Sequence, residues 1–234
     1  MSAPLEAFET MVSGTRAVVP VRVRDGVPDA QATGVAQALD EVAWAQVQHA
    51  YGNAADVPPL LYAVSVGEAE ARRAAWWELW GNVHHQGTVY SASAAAAPFL
   101  AFVAESEEHP DRVQAMSFLR QLALGDGEHA SSVRMAVEPH AAHLMERLER
   151  EPDLVRRAIV WLASAYPRLI SEHPEATDLV PLAMRATWTQ VLDRVERGLD
   201  DDTGDEDDDA ALDREDEVER WLLAGWTEPT EDSI

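Results

Sequence analysis

A proline followed by mostly apolar residues recurs four times along this chain at nearly constant spacing. No other feature limits its fold as much. The segments are Val57-Pro58-Pro59-Leu60-Leu61-Tyr62, Ala97-Pro98-Phe99-Leu100-Ala101-Phe102, Glu138-Pro139-His140-Ala141-Ala142-His143 and Val180-Pro181-Leu182-Ala183-Met184. From Pro59 the successive steps are 39, 41 and 42 residues. Three of these segments are followed by a second stretch of helical period, over 69–83, 111–124 and 153–166, with Arg72, Arg112 and Arg156 near the start of each. A period of about 40 residues with two helices per unit is the signature of stacked helical pairs. Each pair has more apolar surface than it can bury alone, so neighbours must stack. Proline in a first turn loses no hydrogen bond, whereas proline inside a helix bends it. The recurring proline marks one or the other.

The rest of the chain is read around this repeat. Residues 1–35 form an N-terminal arm. Its run Ala17-Val18-Val19-Pro20-Val21-Arg22-Val23 is β-branched and suits an extended strand, and Gly26, Pro28 and Gly34 break any long helix there. Residues 36–198 hold the helical units. Leu39, Val42, Ala43, Val47 and Tyr51 follow the helical period until Gly52 and Asn53 stop it. A fourth unit over 177–199 carries the ladder Leu179, Leu182, Ala183, Ala186, Val191, Leu192 and Val195, and suits a terminal capping helix. Residues 199–234 are an acidic linker followed by a short amphipathic helix with Val218, Trp221 and Leu222, and then Trp226. The run of acids from Asp200 to Asp209 repels itself and is expected to be disordered. The whole is an expected all-α fold, a solenoid of helix pairs with a disordered acidic C-terminal tail. Trp161, amid Ile159, Val160 and Leu162, is expected in its core.

Charge and cysteine usage remove several function classes. The net charge is −24. Residues 199–234 carry 16 acids against 2 Arg, a net of −14, so more than half the excess lies in the last sixth of the chain. A field of that sign repels phosphate backbones and anionic lipid, so neither nucleic acid nor membrane is an expected partner. The absence of cysteine excludes disulfides, thiolate zinc sites and thiol nucleophiles. All 18 basic residues are Arg, which excludes Schiff-base lysine chemistry. No apolar run reaches eighteen residues, and residues 1–11 lack the features of a secretory leader, which points to the cytoplasm.

The stretch Trp80-Gly81-Asn82-Val83-His84-His85-Gln86-Gly87-Thr88-Val89-Tyr90, continued by Ala97-Pro98-Phe99-Leu100, resembles a group of actinobacterial HEAT-repeat-like proteins. These carry a GN-x-x-HQGT-x-Y block ahead of a VPFL helix. Gln48-His49-Ala50-Tyr51-Gly52 and Val57-Pro58 resemble the same group, so the likeness covers roughly 40–125. It implies a HEAT/armadillo-like α-solenoid with no settled activity, and it transfers no catalytic residue.

On a helix, the adjacent His84 and His85 would point about 100° apart and could not share a metal, and His85 suits a helix C-terminal cap. Glu138, His140 and His143 offer two nitrogens and a carboxylate, but no zinc-protease spacing is present. Gly125-Asp126-Gly127-Glu128-His129 is turn chemistry, too short for a calcium loop. No catalytic, metal or cofactor site is therefore expected, and the chain is read as not an enzyme. Two enzyme analogies on related scaffolds fail. A DNA glycosylase needs a basic concave face, which 16 Arg against 26 acids in 1–198 does not supply, and a bilin lyase uses a cysteine. Arg73, Trp77, Trp80 and His84 fall on one stripe of a second helix, and Trp76, Leu79 and Val83 on the adjacent, core-facing one. Trp and Arg are favoured interface anchors. The first stripe, with Trp221 and Trp226, is the candidate partner-binding set, against the alternative that Trp77 and Trp80 fill the inter-helix core. The expected function is a non-catalytic protein-binding module, its protein partner unidentified. The alternative is an acidic immunity protein or inhibitor that neutralises a toxin or a nucleic-acid-binding partner.

Overall fold

β-Branched alternation at the N-terminus gives a hairpin. Strands β1 (Ala7–Val12) and β2 (Thr15–Pro20) pair antiparallel with Phe8 opposite Val19. Phe8, Thr10 and Val19 point inward while Val18 stays exposed, the period-2 pattern of a sheet with one covered face. The computed structural model describes residues 7–12, 15–197 and 207–225. Among them the chain is mostly helical, with eleven α-helices and three two-stranded antiparallel sheets. No described helix is long and apolar enough to cross a membrane.

Helix α1 (Asp29–Asp40) starts directly after Pro28 and buries Ala32, Val35 and Leu39. Gly34 sits inside it rather than breaking it. The helix expected to run on to Tyr51 ends at Asp40. Beyond it the chain turns so that the buried Trp44 indole donates to Leu39 O at 2.9 Å. Strands β3 (Gln48–His49) and β4 (Gly52–Asn53) then form a small hairpin. The apolar period of 39–51 was packing of a loop, which periodicity alone does not separate from helix.

Three helix pairs follow. They are α2 (Val57–Val66) with α3 (Ala69–Asn82), α4 (Ser91–Glu105) with α5 (Arg112–Leu124), and α6 (Ala130–Glu146) with α7 (Asp153–Ala163). Strands β5 (His84–His85) and β6 (Thr88–Val89) separate the first pair from the second. Helix α4 packs on both α2 and α6, and α5 packs on α7. The recurring proline has both of its expected roles. Pro58 and Pro59 lie in the first turn of α2, whereas Pro98 and Pro139 lie inside α4 and α6.

Two of the three arginines near the starts of the second helices, Arg72 and Arg112, bridge successive pairs, whereas Arg156 lies 3.7 Å from Asp153 of its own helix. Arg72 donates to Gly67 O at 2.9 Å and to Asp111 Oδ2 at 2.7 Å. Arg112 donates to Ala104 O at 2.9 Å and holds Glu151 through two bonds of 2.8 Å. In both cases guanidinium and carboxylate are 39 residues apart. Each arginine also satisfies a carbonyl at or just after the end of the preceding helix, one of the groups a helix terminus leaves without a partner. The double bond from Arg112 holds the Glu151 carboxyl below its ordinary value. Gly67 is required where α2 turns into α3, because a Cβ there would lie 2.6 Å from Ala63 O.

Trp161 is completely buried, as expected. Helix α7 stops at Ala163, short of Tyr166, because Pro167 opens α8 (Pro167–Glu172) and the residue before a proline is kept out of the helical region. The fourth unit is not one helix. Helix α9 (Pro174–Asp178) and α10 (Arg185–Arg197) flank an extended Pro181 and a single 3-10 turn, and Leu182 is exposed. Trp188, Val191 and Val195 are the buried contacts of α10.

Helix α11 (Asp207–Leu222) corrects the reading of the acidic tail. The part of the expected linker over 199–206, and Trp226, lie outside the described residues. Asp207 to Asp209, however, are helical, and α11 docks against α7 and α10 with Val218, Leu222 and Leu223 buried. Beneath it lies Arg120 of α5, fully buried, its guanidinium carbon 3.5 Å from the Trp161 ring centroid. Arg120 donates to Ser164 Oγ at 2.9 Å and reaches Glu215 Oε1 at 2.6 Å. Glu219 accepts from the Trp161 indole at 3.1 Å and from Ser117 Oγ at 3.2 Å, and burial raises its carboxyl above the ordinary value. Arg157 donates to the carbonyls of Trp221 and Ala224 at 3.0 Å, closing the end of α11. Val218 and Leu222, expected on the apolar face of a short helix here, are among its buried contacts, and the helix extends further toward the N-terminus than that face alone implied. A guanidinium removed from water needs a carboxylate, and α11 carries it.

Candidate functional site

Helix α3 has two faces with different fates. Ala71, Ala74, Ala75, Trp76 and Leu79 face the core. The adjacent stripe carries Trp77, which is 44% exposed, and Trp80, which is half-buried. Trp80 stacks on Phe118 with ring centroids 4.4 Å apart. The last turn of α3 is tied to the β3–β4 hairpin, because Ala50 N–H donates to Asn82 O at 3.0 Å. Helix, hairpin and N-terminal arm together enclose a cleft of about 980 Å³.

Each wall contributes different chemistry. The hairpin presents His49 and Tyr51. The His49 ring is buried, accepts the Tyr51 N–H at Nδ1 (3.0 Å), and so carries its proton on Nε2, which donates to Asp56 Oδ1 at 2.9 Å. Both nitrogens are engaged within the chain. Tyr51 is exposed, its ring 5.4 Å from that of His85 and its hydroxyl 3.4 Å from His85 Nδ1. The arm contributes Glu9, Thr10 and Arg16, with Arg16 3.4 Å from Glu9 Oε2 and the Thr10 hydroxyl donating to Glu78 Oε1 at 2.5 Å. Asn82 also lines the cleft and is 8% exposed. Its carboxamide has no hydrogen-bond partner among the described residues.

The histidine pair is not helical. His84 and His85 form β5, joined to β6 by Gln86 and Gly87, both in the left-handed region at φ 51° and 86°. Such two-residue turns match the twist of a hairpin, and the strand sends adjacent side chains to opposite faces. His85 accordingly lines the cleft, whereas His84 packs between Trp80 and Phe118. Burial lowers the His84 imidazole below its ordinary value. His85 is no helix cap.

The other candidates are dispersed. Arg73 lies on α3 but does not line the cleft, and its Nε is buried without a partner among the described residues. Trp221 is half-buried under Arg157 against its own chain. His140 pairs with Glu105 at 2.9 Å, and His143 lies 3.9 Å from Glu146. Among the described residues no three His, Asp or Glu side chains are grouped as a metal site requires. A second cavity, of about 760 Å³, lies over Arg112, Arg147 and Glu151. Those charges are paired with one another and with Glu107, the arrangement that holds two helix pairs together.

Of the expected partner-binding set, Trp77 and Trp80 meet in the cleft. Asp56, Glu78, and the arm residues were not anticipated there. His49, Tyr51, Asn82 and His85 lay inside the two blocks quoted for the family resemblance, and that was the one signal in the sequence that could have marked them. Comparison of the chain with protein-family models, with curated proteins and with solved structures finds no match to any of them.

Proposed function

We propose that this chain is a non-catalytic protein-binding module of the cytoplasm, a HEAT/armadillo-like α-solenoid that grips a protein partner at the cleft beside α3. The observation that carries the reading is Trp77. A tryptophan 44% exposed, lining the same cleft as the exposed Tyr51 and as Asn82, whose carboxamide has no partner among the described residues, is an anchor of the kind interfaces favour. Support for the solenoid comes from the three consecutive helix pairs and from the arginine–carboxylate bridges that recur between them with a 39-residue offset. The non-catalytic reading draws on His49, whose nitrogens are both engaged. The resemblance over roughly 40–125 agrees with both parts.

A photo-crosslinking aromatic residue in place of Tyr51, an exposed residue lining the same cleft, introduced in the cell that makes this protein, tests the reading. The expected result is a discrete crosslinked protein, captured by the unlabelled chain as well and lost when Trp77 becomes Ala. Capture that is indifferent to Trp77→Ala removes the cleft from the function. The alternative, an acidic inhibitor, draws on the net charge of −24. It is favoured instead if the captured protein is a basic toxin or a nucleic-acid-binding protein whose activity the chain suppresses.

A further inference from the structure

The cleft combines three features that together select one kind of group. Its exposed rings, Trp77 and Tyr51, offer π-faces that attract cations. Its lining carries three carboxylates, Glu9, Asp56 and Glu78, against one guanidinium, Arg16: Arg16 lies 3.4 Å from Glu9, His49 holds Asp56 at 2.9 Å, and Glu78 accepts from Thr10, so the lining keeps an excess of negative charge. Asn82, more than nine-tenths buried, presents a carboxamide with no partner among the described residues. A neutral ligand could donate to the carboxylates but would gain no charge–charge attraction from them. A quaternary ammonium would satisfy the rings but has no N–H to give to Asn82. A lysine ammonium is a compact, strongly hydrated point charge. A guanidinium is flat enough to stack on an indole, is weakly hydrated, and carries five N–H donors in fixed directions for carboxylate and amide oxygens.

We propose that this cleft holds an arginine side chain presented by a basic segment of the partner protein, stacked on Trp77 and donating to Asn82 and the cleft carboxylates. The assignment rests on the binding-module reading and adds to it the chemistry of the partner. The cleft, at about 980 Å³, is at the upper end of what a single small ligand fills, and it leaves room for the backbone flanking an arginine. The negative field of the whole chain draws a basic segment toward it and excludes acidic ones.

The test uses the full chain and five blocked pentapeptides, Gly-Gly-X-Gly-Gly, with X as arginine, citrulline, lysine, trimethyl-lysine or glutamate. Binding is followed by the indole N–H resonances, with that of Trp77 assigned from the Trp77→Phe spectrum. The arginine peptide should shift the Trp77 signal saturably in the millimolar range or tighter. Lysine should bind at least tenfold more weakly, and citrulline and glutamate should leave the signal unmoved. Asn82→Leu and, at an exposed position that does not threaten folding, Trp77→Ala should each weaken arginine binding at least tenfold with an unchanged circular dichroism spectrum. For Trp77→Ala the readout is calorimetry. A citrulline peptide that binds as well as arginine, or a trimethyl-lysine peptide that binds better, overturns the proposal. So does an arginine peptide that leaves Trp77 unmoved at 10-fold excess over ~1 mM. If a protein still crosslinks at position 51 while the arginine peptide is silent, the arginine assignment falls and the binding reading stands. If neither is seen, both fall.

Discussion

His109 is a buried base that the fold keeps neutral, and its cost can be read in acid. It lies between α4 and α5 with 4% of its surface exposed. Its Nδ1 accepts the Asp111 N–H at 3.1 Å and its Nε2 donates to Ser65 O at 3.2 Å, so the neutral ring is satisfied on both sides. Burial first, and then the guanidinium of Arg24, push its pKa from 6.5 down to about 4. The unfolded chain therefore takes up a proton near pH 6.5 while the folded chain resists until about pH 4. Between those values the unfolded state binds more protons, so stability falls as pH falls. The contribution is fully present above pH 6.5 and lost by about pH 4. At 1.36 kcal/mol per unit, the loss is about 3 kcal/mol. The measurement is urea unfolding of the wild type and of His109→Gln at pH 7.5 and pH 4.5. Glutamine keeps a donor for Ser65 O but does not titrate, so the difference cancels the carboxylates common to both proteins. The variant should be less stable at pH 7.5, and that gap should shrink by about 2–3 kcal/mol at pH 4.5. Parallel pH profiles for the two proteins, or an NMR titration of His109 centred near 6.5, would refute the reasoning.

Three further outcomes follow from the packing. Replacing Glu215 and Glu219 together by Ala leaves Arg120 buried without a counter-charge and should cost about 3–5 kcal/mol. An unshifted melting temperature would show that α11 is not what neutralises it. Truncating the fully buried Trp161 to Ala should also cost about 3–5 kcal/mol in urea unfolding, since it removes both core volume and the ring under Arg120. Gly67→Ala places a Cβ against the Ala63 carbonyl, 2.6 Å away, and should lose about 1–3 kcal/mol by thermal melting, while Ala at the open Gly34 should not.

What the sequence determined by itself was the sequence-local part of this molecule. The proline spacing located the first helix of each pair, and the apolar period located α3, α5 and α7, because a helix buries residues three and four apart whatever it packs against. The same logic put Trp76, Leu79 and Trp161 in the core. Only the tertiary structure decided the rest. The period over 39–51 is a packed loop and hairpin, since an apolar residue beside a helix is buried as well as one within it. His84 and His85 sit on a two-residue turn in a hairpin that packs beside α3, so one histidine faces the cleft and the other the core. The acidic tail looked unable to leave water, and among its described acids Asp213, Asp216 and Glu217 are indeed exposed. Glu215 and Glu219 differ from their neighbours only because Arg120 and Trp161, some hundred and some sixty residues earlier, wait beneath them. The cleft is the extreme case: its walls come from the arm, the β3–β4 hairpin and the end of α3. Trp77 was legible as a surface residue on a helical stripe. Its neighbours Asn82, Tyr51 and Asp56 became a site only where long-range packing brought three segments of chain together, and no local period records that.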